Sequence, residues 1–94
     1  MSKEIILTAA AALAIKHGYR NIKRADIAER CNCATGTISY HFSTMQNLRE
    51  CLMRWAVDTG HAHIVGQGLA DRHPFAMRAP DALKTRALRL LAAT

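Results

Sequence analysis

Apolar residues recur at helical spacing from the start of the chain. Ile6, Ala9, Ala10 and Leu13 lie three and four residues apart, with Lys16 or His17 continuing the series. This period predicts a first helix over residues 3–16. Ser2 is placed to cap it and Glu4 sits in its first turn. Lys16 and His17 sit in its last turn, and Gly18 follows as the residue beyond its end. The small side chains of residues 9–12 let neighbouring helices approach closely. Tyr19 then folds back as a core aromatic, and residues 20–23 cross to a second helix over residues 24–30.

Residues 26–42, DIAERCNCATGTISYHF, are the stretch around which the rest is organised. Two short helical runs are separated by a break over residues 31–34, so the second helix and a third, Thr35–His41, must cross steeply, as in a helix-turn-helix. Ile27 and Ala28 supply apolar contacts from one, Ile38 and Phe42 from the other. Thr35, Thr37, Ser39, Tyr40 and His41 fall largely on other sides. They form a hydroxyl-rich face without carboxylates, suited to a DNA major groove. Asn32 is assigned the turn's left-handed backbone. Gly36, costly inside a helix, points to close approach by a neighbouring helix or by a DNA backbone. Lys23 cannot cap the second helix as Ser or Thr would; Asn21 is the alternative cap if that helix begins early. Lys23 and Arg24 oppose the helix dipole, an unfavourable arrangement that a bound phosphate would reverse.

Ser43 or Thr44 caps a fourth helix over residues 44–59, with Gln46 or Asn47 in its first turn. Leu48, Cys51, Leu52, Trp55 and Ala56 form its apolar stripe, Glu50 and Arg54 form a surface pair, and Gly60 ends it. Residues 61–70 carry Ile64, Val65 and Leu69, but Gly66 and Gly68 weaken the case for a helix there. Residues 71–80 read as a connector marked by Pro74 and Pro80, with Phe75 and Met77 as anchors. Residues 81–93 are helical again, with Leu83, Ala87, Leu90 and Leu91 on one stripe, widened by Leu88. The fold class is therefore all-α, a helix-turn-helix with further helices after it, and the expected division is between residues 1–46 and residues 47–94.

Apolar types make up 50 % of the 94 residues, too many for a disordered chain. No apolar run is long enough to cross a bilayer, so no membrane partner is expected. The opening MSKEII lacks the apolar core of a signal peptide, and three cysteines without an export signal read as reduced thiols. A cytoplasmic location is the expectation. Net charge is +6, with 13 Lys and Arg against 7 Asp and Glu, which favours a polyanionic partner. The excess is spread over both sides of Gly60, so neither end is a detached basic tail.

Competing chemistry finds little support. Cys31 and Cys33 have one intervening residue, short of the usual zinc-knuckle spacing, and no second cysteine pair follows. His17, His41, His61, His63 and His73 are scattered. No structural metal and no cofactor are expected. A Cys–His hydrolase would need an orienting group and an oxyanion site, and no nucleotide-binding fingerprint is present. No enzymatic activity is expected.

Ile6, Ala9, Ala10, Leu13, Gly18 and Tyr19, then Asp26, Ile27 and Ala28, then Gly36, Thr37, Ile38, Tyr40, His41 and Phe42, then Leu48, resemble the N-terminal DNA-binding domain of the TetR family of transcriptional regulators. The resemblance covers roughly residues 6–52, and GTISYHF is its most specific part. It implies a three-helix helix-turn-helix DNA-binding domain over residues 1–46, a linking fourth helix leading to a short helical dimerisation region over residues 47–94, and a recognition helix near Thr35–His41. It places Thr35, Thr37 and Ser39 nearest base edges or adjacent phosphates, Tyr40 and His41 toward the DNA backbone, and Ile38 and Phe42 in the core. The chain departs from the family at Lys23, where a capping Thr or Ser is usual, and at Ala14, often aromatic. It departs also at Ser39, usually Tyr, and at Met45, where a phosphate-reaching Lys is usual. The family's ligand-binding domain is longer than this chain, so a stripped-down regulator is expected, responding to concentration or controlled by another protein.

The residues themselves add further candidates. Thr35 and Thr37 offer hydroxyls and methyls to base edges, and specificity would lean on methyl contacts, water or DNA shape. Lys3, Arg20, Lys23 and Arg24 are the electrostatic candidates for phosphate, joined by Tyr40 and His41. Two copies on a two-fold axis would address a palindrome, held together by Leu52, Trp55, Ile64, Val65, Leu69, Leu83, Ala87, Leu90 and Leu91. The expected function is a sequence-specific double-stranded DNA-binding repressor acting by occlusion as a homodimer or higher oligomer, with a regulatory protein as a further partner. The alternative is a protein-interaction adaptor that keeps the fold without operator recognition.

Overall fold

Ser2 starts the first helix by accepting a hydrogen bond from the Ile5 amide at 3.2 Å, which satisfies one of the unpaired donors every helix start leaves. The computed structural model describes residues 1–93. Among them it forms seven helices and no strand: α1 (Lys3–His17), α2 (Arg24–Cys31), α3 (Thr35–His41), α4 (Met45–Thr59), α5 (Ala62–Ala70), α6 (Pro74–Met77) and α7 (Asp81–Ala93). The all-α expectation holds. Two compact units are distinguished, Met1–Leu52 and the chain from Met53 onward, so their boundary falls inside α4.

In the first unit Gly18 ends α1 at φ 87°, and its amide donates to the Ala14 carbonyl at 2.7 Å. Tyr19 and Ile22 then turn inward and are buried. Asn21 does not cap α2. Its side-chain amide instead donates to the His17 carbonyl at 2.7 Å, closing the C-terminus of α1. The buried side of α1 is wider than the expected stripe, with Leu7, Ala11 and Ala14 buried beside Ile6, Ala9 and Ala10. Small alanines let α2 pack against this surface. Ile15 on the other side is 46 % exposed.

The turn between α2 and α3 is a Schellman closure. Asn32 is left-handed (φ 55°, ψ 48°), its amide donates to Glu29, and the Cys33 amide donates to Ala28 at 3.0 Å. This pairs carbonyls that the end of α2 would leave empty and lets α3 begin two residues later. Ile27, Ala28, Ile38, Phe42, Leu48 and Leu52 are buried in the resulting core. Thr44 caps α4 by accepting from the Asn47 amide at 3.0 Å.

The second unit sharpens two readings. Residues 62–70 are helical although Gly66 and Gly68 lower the intrinsic preference for it. A Cβ on Gly66 would lie 3.0 Å from the Ala87 carbonyl oxygen, and one on Gly68 would lie 2.6 Å from Met53 Sδ and 2.7 Å from Ala76 Cβ. Each glycine weakens an isolated helix by about 0.5–1 kcal/mol, but their bare backbone lets α5 close on α7, Met53 and α6. The expected connector contains a one-turn helix, α6, begun by Pro74 and capped by His73 Nδ1, which accepts from the Phe75 amide. Its fully buried residues are Ala76 and, just beyond its end, Ala79, whereas Met77 is 50 % exposed. Room beside Gly68 admits only a small side chain, so alanine rather than methionine faces inward. Phe75 lies beneath the Arg54 guanidinium, 4.7 Å from its ring centre, so Arg54 is engaged there, and Glu50 accepts from Gln46. On α4, Met53 joins Leu48, Leu52 and Ala56 as fully buried, while Cys51 and Trp55 are half-buried.

Candidate nucleic-acid interface

Ile38 and Phe42 lie one helical turn apart and both are buried, at 0 % and 1 % exposure. With successive side chains separated by about 100° around a helix axis, the direction opposite this pair is occupied by Gly36 and Tyr40. Tyr40 is 85 % exposed, unusually high for an aromatic side chain. A Cβ built on Gly36 meets nothing within 4 Å, which removes a neighbouring helix as the reason for that glycine. Thr35 is exposed, and Thr37 and Ser39 are half-buried on the flanks of this face.

The hydroxyls are not equivalent. Ser39 donates to the Thr35 carbonyl at 3.3 Å, so its proton is engaged within the helix and its oxygen remains to accept. His41 is half-buried, its ring set edge-on to Tyr40 with centroids 5.3 Å apart.

The basic residues sit around the ends of α1 and α2. Lys23 occupies the position just before α2 and makes no side-chain capping bond. It is exposed, as is Arg20, whereas Arg24 is half-buried with its Nε lacking a partner. Lys3 lies over the buried Phe42 ring, 5.7 Å from its centre, a cation–π placement that ties the start of α1 to the end of α3. Met45 is half-buried at the first position of α4.

Arg49, absent from the expected set, organises this region from behind. Its Nη2 donates to the Ile22 carbonyl at 3.3 Å, pinning the loop that carries Arg20 and Lys23 to α4. Its partner is 27 residues away, and no local spacing signals such a bond. The expected dimer residues divide by burial. Leu52, Ile64, Val65, Leu83 and Ala87 are buried inside the chain itself; Trp55, Leu69 and Leu90 are half-buried, and Leu91 is 40 % exposed.

Among the described residues no group of three or more His, Cys, Asp or Glu is placed to hold a metal ion. No helix among them is long and apolar enough to cross a membrane. No curated protein and no solved structure matches the chain. Residues 6–52 match the bacterial regulatory proteins of the tetR family. That segment holds the N-terminal helix-turn-helix DNA-binding domain with α3 as its second element, and by it the chain belongs to the tetR family of bacterial regulatory proteins.

Proposed function

We propose that the chain is a sequence-specific transcriptional repressor that binds a palindromic duplex operator as a homodimer and acts by occlusion. The observation that carries this reading is the outward face of α3. It presents an open glycine, a nearly fully exposed tyrosine and threonine hydroxyls, with no acidic residue, while Ile38 and Phe42 hold it from within. In this reading Thr35, Thr37 and Ser39 address base edges and Tyr40 and His41 reach the backbone. Gly36 lets that backbone approach. Lys3, Arg20, Lys23 and Arg24 contact phosphates, and Arg49 keeps their loop in place. Phosphate contacts position such a protein and base contacts specify its site.

Residues 1–46 are the proposed DNA-binding part and residues 47–94 the linking and dimerising part. Of the apolar set from Leu52 to Leu91, the four with accessible surface, Trp55, Leu69, Leu90 and Leu91, make the proposed contact between copies. The buried five support them from behind. Two copies would meet successive major grooves, which explains why an operator should be an inverted repeat.

Selection of bound fragments from random duplex DNA, with the mass of the complex measured alongside, tests both statements. Enriched inverted repeats carrying two chains are expected. Retention of no duplex at low salt by a fully helical protein would overturn the repressor reading and favour a protein-interaction adaptor.

A further inference from the structure

Helix α1 carries two apolar stripes, and the chain itself covers only one of them. The inward stripe contains Ile6, Ala10 and Ala14, all fully buried. The second runs along the outside through Ile5, Thr8, Ala12 and Ile15, at steps of three, four and three residues. Ile5 is 54 % and Ile15 46 % exposed. With 100° between successive residues, the four lie within about 80° of the helix circumference. On the same count Glu4 flanks the stripe on one side and Lys16 on the other, and both are exposed. Two isoleucines left half in water at the two ends of one stripe make an apolar surface whose burial is favourable.

We propose that this outer face of α1 pairs with the same face of a second copy, the two helices running antiparallel about a two-fold axis at the level of Ala10. A two-fold contact must be self-complementary, and α1 meets that demand at every position of the stripe. In an antiparallel pair centred on Ala10, Ile5 meets the second copy's Ile15, Thr8 its Ala12 and Glu4 its Lys16, and each pairing occurs twice. The two-fold axis also exchanges left and right. Glu4 and Lys16, on opposite flanks within one chain, therefore fall on the same flank of the pair. A parallel arrangement would instead set Glu4 against Glu4 and Lys16 against Lys16. The small Thr8 and Ala12 near the axis let the helices approach, and the isoleucines close both ends. Thr8 donates its hydroxyl proton to the Glu4 carbonyl at 2.8 Å, so covering it leaves no unpaired donor. The second copy's Ile15 settles beside Ile5, where α1 and α2 leave an open groove of about 530 Å³ whose lining includes Ala9, Arg30 and Cys31. Exposed ion pairs contribute little, so the two Glu4–Lys16 pairs set direction and register while isoleucine burial supplies the attraction. This contact involves α1 and is separate from the one proposed for residues 55–91; where both form, pairs of chains are joined into larger assemblies.

The test mixes isotope-labelled and unlabelled full chain without DNA, treats the mixture with a zero-length carbodiimide that joins a carboxyl to an amine, and maps the products by mass spectrometry. Glu4 and Lys16 are twelve residues apart on one helix, about 18 Å, too far to be joined within a chain. A Glu4–Lys16 product carrying one labelled and one unlabelled half is expected, and this readout needs no variant to fold. Sedimentation velocity gives the second readout. Ile5→Gln and Ile15→Gln, each at an exposed position, should weaken self-association at least tenfold. Glu4→Lys should weaken it as well, and adding Lys16→Glu to Glu4→Lys should restore it. Absence of the mixed Glu4–Lys16 product, or self-association unmoved by both isoleucine variants, would overturn the proposal and leave this face to a different protein. Neither readout involves DNA or residues 55–91, so its failure is distinct from failure of the repressor reading.

Discussion

Gly36 and Gly68 are the same residue type in helices and do opposite things. At Gly68 a methyl group would collide with Met53 and Ala76, so Gly68→Ala should destabilise the fold by about 1–3 kcal/mol, the usual range for overpacking a tight core. Denaturant unfolding measures this. At Gly36 a methyl group meets open space. Gly36→Ala should therefore raise stability by about 0.5–1 kcal/mol while weakening operator binding, since the methyl would stand between α3 and the DNA backbone. Thermal unfolding and duplex titration on the same variant separate the two effects; unchanged duplex affinity would count against α3 as the reading element. Both glycines were visible in the sequence. What each one faces was not, because the neighbours of Gly68 lie on other helices and Gly36 has none.

At the scale of elements, α2 begins badly by intrinsic rules. Lys23 stands where a capping hydroxyl belongs and makes no capping bond. Lys23→Ser should add about 0.5–2 kcal/mol of stability by supplying the cap. If Lys23 meets a phosphate, the same change should reduce the slope of log affinity against log salt by about one. A slope that does not move would remove Lys23 from the interface. The junction of α4 and α5 carries a different signature. Burial lowers the His61 pKa below its ordinary value of 6.5, with a smaller push from His63 against an opposing backbone hydrogen bond. Below pH 6.5 the unfolded chain takes up a proton that the folded His61 resists. The stability is thus fully present above that pH and is lost as pH falls through the folded pKa. Unfolding midpoints measured from pH 7.5 to 5 should decline less in His61→Gln than in the unaltered chain. Helix limits were largely legible here, because caps at Ser2 and Thr44 and stops at Gly18 and Asn32 are local chemistry. Helix α5 was not, since its glycines lower intrinsic propensity and only packing on α7 and Met53 compensates.

For the whole molecule, a net charge of +6 and the basic residues around α1 and α2 make association with duplex DNA a counterion-release process. Affinity should fall steeply and linearly on log–log axes as salt rises, with a slope set by the number of phosphates neutralised. A weak slope, of magnitude about one or less, would be inconsistent with Lys3, Arg20, Lys23 and Arg24 all contacting phosphate. The proposed association between copies would rest on what each chain leaves uncovered. Five of the nine apolar residues assigned to that role from spacing are already enclosed by their own chain. Periodicity marks a residue as apolar-facing without saying whether the facing partner is intramolecular.

The sequence by itself determined the helical class, the turn at Asn32, the inward pair Ile38 and Phe42, and the family of the N-terminal half. Each of these depends on residues a few positions apart, where spacing and backbone preference suffice. Tertiary structure alone decided that α5 tolerates two glycines and that Arg49 holds the basic loop. It also decided that Tyr40 stands clear of the protein and that Cys31 lines an open groove against α1. Those outcomes depend on atoms brought together, or kept apart, by chain segments distant in sequence.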